Sequence, residues 1–132
     1  MAVGFSMALF AASSALACDP PSLGASQRLA DSQRYRVAWR TRPDPIVVSE
    51  PFALEMSVCA KPGAPPVEGV AVDATMPEHR HGMNYRPSVT DGPDGRFLAE
   101  GMLFHMPGKW RLIFDLRAGS VSERLTQDLA IE

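Results

Sequence analysis

The sequence predicts an all-β protein. Its 132 residues contain twelve prolines and ten glycines, which are scattered along the chain and favour many turns over long helices. Between the turns lie short segments of alternating apolar and polar residues, and no stretch keeps the period of a helix. About six to eight such segments with regularly spaced turns favour a two-sheet immunoglobulin-like sandwich of about seven short strands. A small barrel is the alternative, because alternation is the same in both folds.

Strands in the first half of the chain are predicted between two proline-rich breaks. The first break is Pro43-Asp44-Pro45, and the second is the loop 61–68, which holds three prolines and a glycine. Apolar residues alternate with polar ones in two segments and form β-branched runs in the others. These segments are residues 35–39, 46–48, 52–58 and a strand that begins at Val70.

In the second half of the chain, turn sequences separate three more strands. Asp91-Gly92-Pro93-Asp94-Gly95 is a turn, and the strand after it is predicted to run from Arg96 to about His105. Proline and glycine occupy the central positions of a type II turn at residues 106–109. The returning strand, 110–116, alternates cleanly, and a last turn at 118–120 leads into the final strand.

The first seventeen residues differ from the rest of the chain. Residues 1–17 carry no charge, are rich in Ala, Leu, Phe and Val, and end in Ala15-Leu16-Ala17. A short apolar stretch closed by Ala-x-Ala is typical of a secretory signal peptide, and it is too short to span a bilayer. We therefore expect residues 1–17 to be a signal peptide and residues 18–132 to form one domain in the periplasm or elsewhere outside the cytoplasm. No transmembrane segment is expected after the leader.

Charge and motif content exclude several classes of function. The formal net charge of −2 provides no basic surface for nucleic acid or anionic lipid. The chain has no nucleophile elbow, no His-Glu-x-x-His, no phosphate-binding glycine loop and no Cys-x-x-Cys. We therefore expect a protein that is not an enzyme.

Two cysteines remain in the predicted mature chain, Cys18 and Cys59. In an oxidising compartment they would pair and close a loop of about 40 residues. Cys18 follows the small residues of the predicted cleavage site directly, so a lipid anchor on Cys18 is an alternative. Free thiols or thiolate metal ligands are a third possibility.

The chemistry of the sequence is concentrated between Met76 and Met106. This segment contains all three histidines and four of the five methionines outside the leader. If residues 79–83 are extended, the side chains at i, i+2 and i+4 project from one face. Imidazole and thioether donors without thiolate match copper, and Cu(I) in particular. The candidate metal ligands are His79, His81, Met83, His105, Met106 and Met76.

Two alternatives to metal binding remain open for this segment. Methionine often fills gaps in a core, and single histidines are often surface residues with a hydrogen bond, so the segment can be purely structural. A surface made by Arg80, Tyr85 and Arg86 can instead recognise a partner.

The same residues resemble a family of exported bacterial domains, the YtkA-like/FixH-like family. The resemblance covers roughly residues 33–132 and implies an immunoglobulin-like sandwich outside the cytoplasm, with a role in copper handling or haem-copper oxidase maturation. The matching motifs are Met76-Pro77-Glu78-His79-Arg80-His81-Gly82-Met83, Gly95-Arg96-Phe97 and Gly101-Met102-Leu103-Phe104-His105-Met106-Pro107-Gly108-Lys109-Trp110-Arg111-Leu112.

A second similarity concerns ligand spacing only. Periplasmic Cu(I) chaperones of the PCuAC type use an M-x21-H-x-M pattern. Here 21 residues separate Met83 from His105, and Met106 follows His105 directly.

These observations predict a periplasmic copper-binding protein, a chaperone or buffer that passes the metal to a protein acceptor. The alternative is an extracytoplasmic binding or scaffold module that takes no metal. The copper hypothesis requires the side chains of His81, Met83 and His105 to converge.

Overall fold

The chain forms two antiparallel β-sheets in the computed structural model, which describes residues 18–132. The predicted signal peptide, residues 1–17, lies outside this range. No helix occurs among the described residues, so the predicted all-β class and two-sheet sandwich are confirmed and the barrel alternative is wrong. Residues 18–132 form nine strands, where about seven are predicted. They are β1 (Arg28–Asp31), β2 (Tyr35–Arg42), β3 (Phe52–Ala60), β4 (Gly69–Met76), β5 (His81–Gly82), β6 (Ser88–Asp91), β7 (Arg96–Met102), β8 (Gly108–Ala118) and β9 (Val121–Ile131).

The two sheets differ in size and strand order. The first sheet has the order β1-β2-β3-β7-β6, and the second has the order β5-β4-β8-β9. The β8–β9 hairpin is the longest pairing and closes with Ala118 opposite Val121 around a two-residue turn. Gly119 in that turn has a φ of +60°, a conformation that favours glycine. The chain crosses from the first sheet to the second between β7 and β8, at residues 103–107.

The core lies between the sheets and follows the predicted alternation. In β8, Trp110, Leu112, Phe114 and Leu116 are at most 2% exposed. The rings of Trp39 in β2 and Phe114 in β8 have centroids 6.2 Å apart and so join the two sheets. Burial of these large side chains is the main force that holds the sandwich together.

A disulfide joins Cys18 to Cys59, with the two Cα atoms 5.8 Å apart. It attaches the segment that precedes β1 to the end of β3. The first of the three predicted fates of the cysteines is thus confirmed. The bridge occupies the sulfur that a lipid anchor at Cys18 would need, and it removes both thiolates as metal ligands.

The missed strands are short and mostly exposed. β1, β5 and β6 have four, two and four residues, which is too few for a clear alternating pattern. Residues 46–48 are not a strand; they belong to a loop in which Ser49 N–H donates to the carbonyl of Phe104 at 2.8 Å. The strand from Arg96 ends at Met102, before His105; inside it Gly101 adopts a φ of +81° where the β3–β7 register shifts.

One edge of the second sheet is largely open. β5 pairs only with the last two residues of β4, Thr75 opposite Gly82 and Met76 opposite His81. Among the described residues, the rest of β4 has β8 on one side and no hydrogen-bonded strand on the other, although β6 of the first sheet passes near it. The exposed Asp73 lies in this open stretch, and its carboxylate accepts a hydrogen bond from the N–H of Ala74 at 2.8 Å.

No helix in the described part of the chain is long and apolar enough to cross a membrane.

Two carboxylates with lowered pKa values predict acid sensitivity. Hydrogen bonds from Arg36 and then from Lys61 lower the pKa of Asp31, and a hydrogen bond from Arg111 lowers the pKa of Asp128. A lowered folded-state pKa gives stability that is present above the unfolded pKa and is lost as pH falls through the folded value. We expect the free energy of unfolding to fall as the pH drops below about 4. The loss should be small because the pairs are exposed.

Urea unfolding at pH 3 and pH 6 measures this effect. The variant Asp31→Asn/Asp128→Asn should lose less stability between these two pH values than the unaltered protein does. An identical loss in both proteins would assign the acid sensitivity to other groups.

Candidate metal centre

The β4–β5 hairpin determines where the first two histidines lie. The carbonyl of Met76 accepts hydrogen bonds from the N–H groups of His79 (3.1 Å) and Arg80 (2.9 Å), and Arg80 has a φ of +55°. Residues 77–80 therefore form a turn that reverses the chain. The condition for a shared face, that residues 79–83 are extended, therefore does not hold at His79, which is exposed in the turn.

His81 and Met83 still share one face, as predicted. His81 lies opposite Met76, and the N–H of Met83 donates to the carbonyl of Ala74 at 3.3 Å. Residues opposite one another on antiparallel strands project their side chains from the same face. Ala74 and Met76 point into the core, so His81 and Met83 project toward the core at the edge of the sheet. Met83 is partly buried and packs against the core, and Met76 is 1% exposed.

The connection between β7 and β8 carries His105 and Met106, which are both partly buried. It is held at two points: Ser49 donates to the carbonyl of Phe104, and Trp110 Nε1–H donates to the carbonyl of Met106 at 3.0 Å. The connection also passes close to Met76, because a Cβ on Gly108 would lie 2.8 Å from Met76 Cε. Glycine at this position therefore leaves room for the methionine side chain.

The three histidines form a chain of neighbouring rings. The ring centroids of His81 and His105 are 5.2 Å apart, and those of His79 and His81 are 5.7 Å apart. The structure thus brings together histidines from the edge of the second sheet and from the crossover connection. Their separation in sequence is 24 residues between His81 and His105.

These distances are compatible with one shared metal ion. A metal-bound histidine nitrogen lies about 2.0–2.1 Å from the ion and about 1.1 Å from its ring centre, so two rings on one ion have centroids within roughly 6.4 Å of each other. Both ring pairs satisfy this limit.

His81 and His105 each have a ring nitrogen whose lone pair can serve a ligand. His81 Nδ1 lies 3.3 Å from the carbonyl of Gly82; in the tautomer that makes this hydrogen bond, Nδ1–H donates to the carbonyl and Nε2 keeps a lone pair. His105 Nδ1 is buried and has no hydrogen-bond partner in the structure of residues 18–132. A buried polar nitrogen without a partner is costly, and a ligand would remove that cost.

Among residues 18–132 the three histidines are not grouped closely enough to hold an ion by themselves, and no carboxylate or thiolate joins them. The carboxylate nearest in sequence, Glu78, is exposed and lies 3.8 Å from Lys109 Nζ. A complete metal shell at the histidines would therefore need methionine sulfur, for which Met83 and Met106 are the partly buried candidates and Met76 is the fully buried one.

Trp110 is a neighbour of the histidines that was not among the predicted site residues; its position in the sequence predicted only an alternating strand. Its ring centroid is 5.4 Å from that of His105 and 6.2 Å from that of His81. Phe104 stacks on it at 4.3 Å with an angle of 11° between the rings. The pairing of Thr75 with Arg111 places Trp110 beside Met76, so the contact depends on a long-range strand register that no local sequence pattern reports.

Comparisons with protein-family models, with curated proteins and with solved structures found no match to this chain.

Proposed function

We propose that this protein binds copper, as Cu(I), at the end of the sandwich where His81 and His105 meet. The observation that carries the proposal is the 5.2 Å approach of these two rings together with the buried, unpartnered Nδ1 of His105. His79 is the third imidazole, 5.7 Å from His81. Met83 and Met106 are the sulfur donors that can complete the shell, and Met76 is a reserve donor behind them.

The types of donor favour copper over zinc. Structural zinc sites recruit cysteine or carboxylate with their histidines, and the two cysteines here are bonded to each other. Thioether sulfur selects Cu(I) among the common metals, and imidazole also binds it. A set of two or three imidazoles with one or two thioethers is therefore best matched to Cu(I).

The position of the site suits a chaperone or buffer. Its ligands come from a turn, a two-residue strand and a connection, and His79 is exposed while His81, Met83, His105 and Met106 are partly buried. An ion held there is accessible to a protein acceptor that exchanges ligands one at a time. The resemblance to YtkA-like/FixH-like domains and the apolar leader support a location outside the cytoplasm. The resemblance also supports a role for the bound copper in the maturation of copper oxidases.

Anaerobic titration with Cu(I) against a chromogenic chelator tests the proposal. The variant His81→Ala/His105→Ala should bind Cu(I) at least about 100-fold more weakly than the unaltered protein, because replacing even an outer partner of a metal ligand costs about 10–100-fold. Arg80→Asn is the matched control: it removes an exposed side chain from the same turn, and asparagine tolerates the positive φ at that position.

Circular dichroism and thermal unfolding establish that the variants keep the sandwich. Equal Cu(I) affinity in the double variant and the control, or no stoichiometric binding in any of the three proteins, would refute the copper proposal. That outcome would favour the alternative of a binding or scaffold module without metal.

A further inference from the structure

The methionines of the described chain fall into two groups by exposure. Met56, Met76 and Met102 are 0–1% exposed and lie inside the sandwich. Met83 and Met106 are only partly buried, and in sequence they follow closely after His81 and His105. The fold thus encloses Met56, Met76 and Met102 fully and leaves Met83 and Met106 partly accessible to solvent.

Exposure decides which thioethers a hydroperoxide can reach. In this reaction a sulfur lone pair attacks one peroxide oxygen, the O–O bond breaks, and the products are a sulfoxide and water or an alcohol. The sulfur is oxidised by two electrons and the peroxide is reduced by the same two. A sulfur enclosed by packed side chains does not present its lone pair to the oxidant.

We propose that Met83 and Met106 are a modification site for hydroperoxides, and that their conversion to sulfoxides lowers the affinity of the copper site. This inference rests on the proposed function. A sulfoxide binds metals through its oxygen, which is a harder donor than the thioether and a poorer match for Cu(I). The histidines remain, so oxidation weakens the site and leaves the imidazole part of it intact.

The effect should be confined to the site. Because Met56, Met76 and Met102 are buried, peroxide should not oxidise the core. The sandwich should therefore persist while the ligands of the copper site change. Methionine sulfoxide is reduced enzymatically, one enzyme acting on each sulfoxide epimer, so the change is reversible. A bound soft cation occupies the sulfur lone pair, and the loaded protein should therefore resist oxidation.

Hydrogen peroxide titration followed by peptide mass spectrometry tests the selectivity. We expect Met83 and Met106 to gain oxygen at least about tenfold faster than Met56, Met76 and Met102. Saturation with Ag(I), a soft monovalent cation that does not cycle with peroxide, should slow oxidation of the first two and leave the other three unchanged. Equal rates at all five sulfurs would overturn the modification site.

Cu(I) affinity before and after peroxide tests the consequence. We expect at least a roughly tenfold loss after oxidation and recovery after treatment with both methionine sulfoxide reductases. The control Met83→Leu/Met106→Leu conserves apolar volume and should keep the fold. It should begin with a lower affinity, and peroxide should lower that affinity no further.

The outcomes separate this inference from the function it rests on. If the untreated protein binds no Cu(I), the proposed function fails, whatever the oxidation pattern. If it binds Cu(I) equally well before and after Met83 and Met106 are oxidised, the copper function stands and the peroxide inference is overturned.

Discussion

Replacing Trp110 with alanine is expected to lower the free energy of unfolding by about 3–5 kcal/mol, the usual range for removing a large buried aromatic. The indole is 0% exposed and stacks on Phe104. Its Nε1–H is also donated to the carbonyl of Met106, so the truncation removes a hydrogen bond as well as packing. Urea unfolding at neutral pH measures the loss.

Trp39 offers a matched control on the opposite sheet. It is 1% exposed, but its Nε1 has no hydrogen-bond partner in the described part of the chain. Trp39→Ala should also open a large cavity and lower the free energy of unfolding. The conservative variants Trp39→Phe and Trp110→Phe keep most of the packing, so they test the effect of each tryptophan on Cu(I) binding apart from its effect on stability. Only Trp110→Phe should weaken Cu(I) binding, because Trp110 lies against His81 and His105. Equal Cu(I) affinities in the two phenylalanine variants would assign Trp110 to the core alone.

Loss of the Cys18–Cys59 bridge is expected to lower the free energy of unfolding by about 2–4 kcal/mol. The two cysteines are 41 residues apart in sequence, and the bridge reduces the freedom of the unfolded chain between them. The variant Cys18→Ser/Cys59→Ser should show the full loss in urea unfolding. The unaltered protein should show the same loss after reduction.

The same variant separates the bridge from the metal site. Phe52, at the beginning of β3, pairs with Met102 near the connection that carries His105, whereas Cys59 is seven residues further along, about 23 Å at the usual rise of a strand. We therefore expect unchanged Cu(I) affinity in the serine variant. A fully reduced protein with unaltered stability would show that the bridge contributes little to the fold.

The fold class was predictable because the core strands carry a strong periodic signal. In β3 and β8 every second residue is apolar and buried, and the turn between β8 and β9 is marked by Gly119. The short strands β1, β5 and β6 give no comparable signal. Residues 46–48 have the composition of a strand, yet the loop hydrogen bond from Ser49 to Phe104 holds this region away from the sheets. Here tertiary contacts outweigh local propensity.

The candidate site was predictable in residue type and only partly in geometry. The two-residue period correctly placed His81 and Met83 on one face. It does not apply to His79, because His79 lies in the turn formed by residues 77–80 and not in a strand. The approach of His81 to His105 depends on how an edge strand of one sheet meets the crossover from the other. Periodicity within a segment carries no information about that meeting, and it gave no sign that Trp110 lies beside both rings.

The brevity of β5 has a consequence for solubility. A strand edge with free N–H and C=O groups is a template on which another chain can extend the sheet, and this is how many β proteins aggregate. Most of the outer edge of β4 lies beyond the reach of β5, and only a β5 that continued past Gly82, away from the turn that carries His79, would cover it. Asp73 protects the edge in another way: its carboxylate takes the N–H of Ala74 and places a negative charge where a neighbouring copy would have to dock.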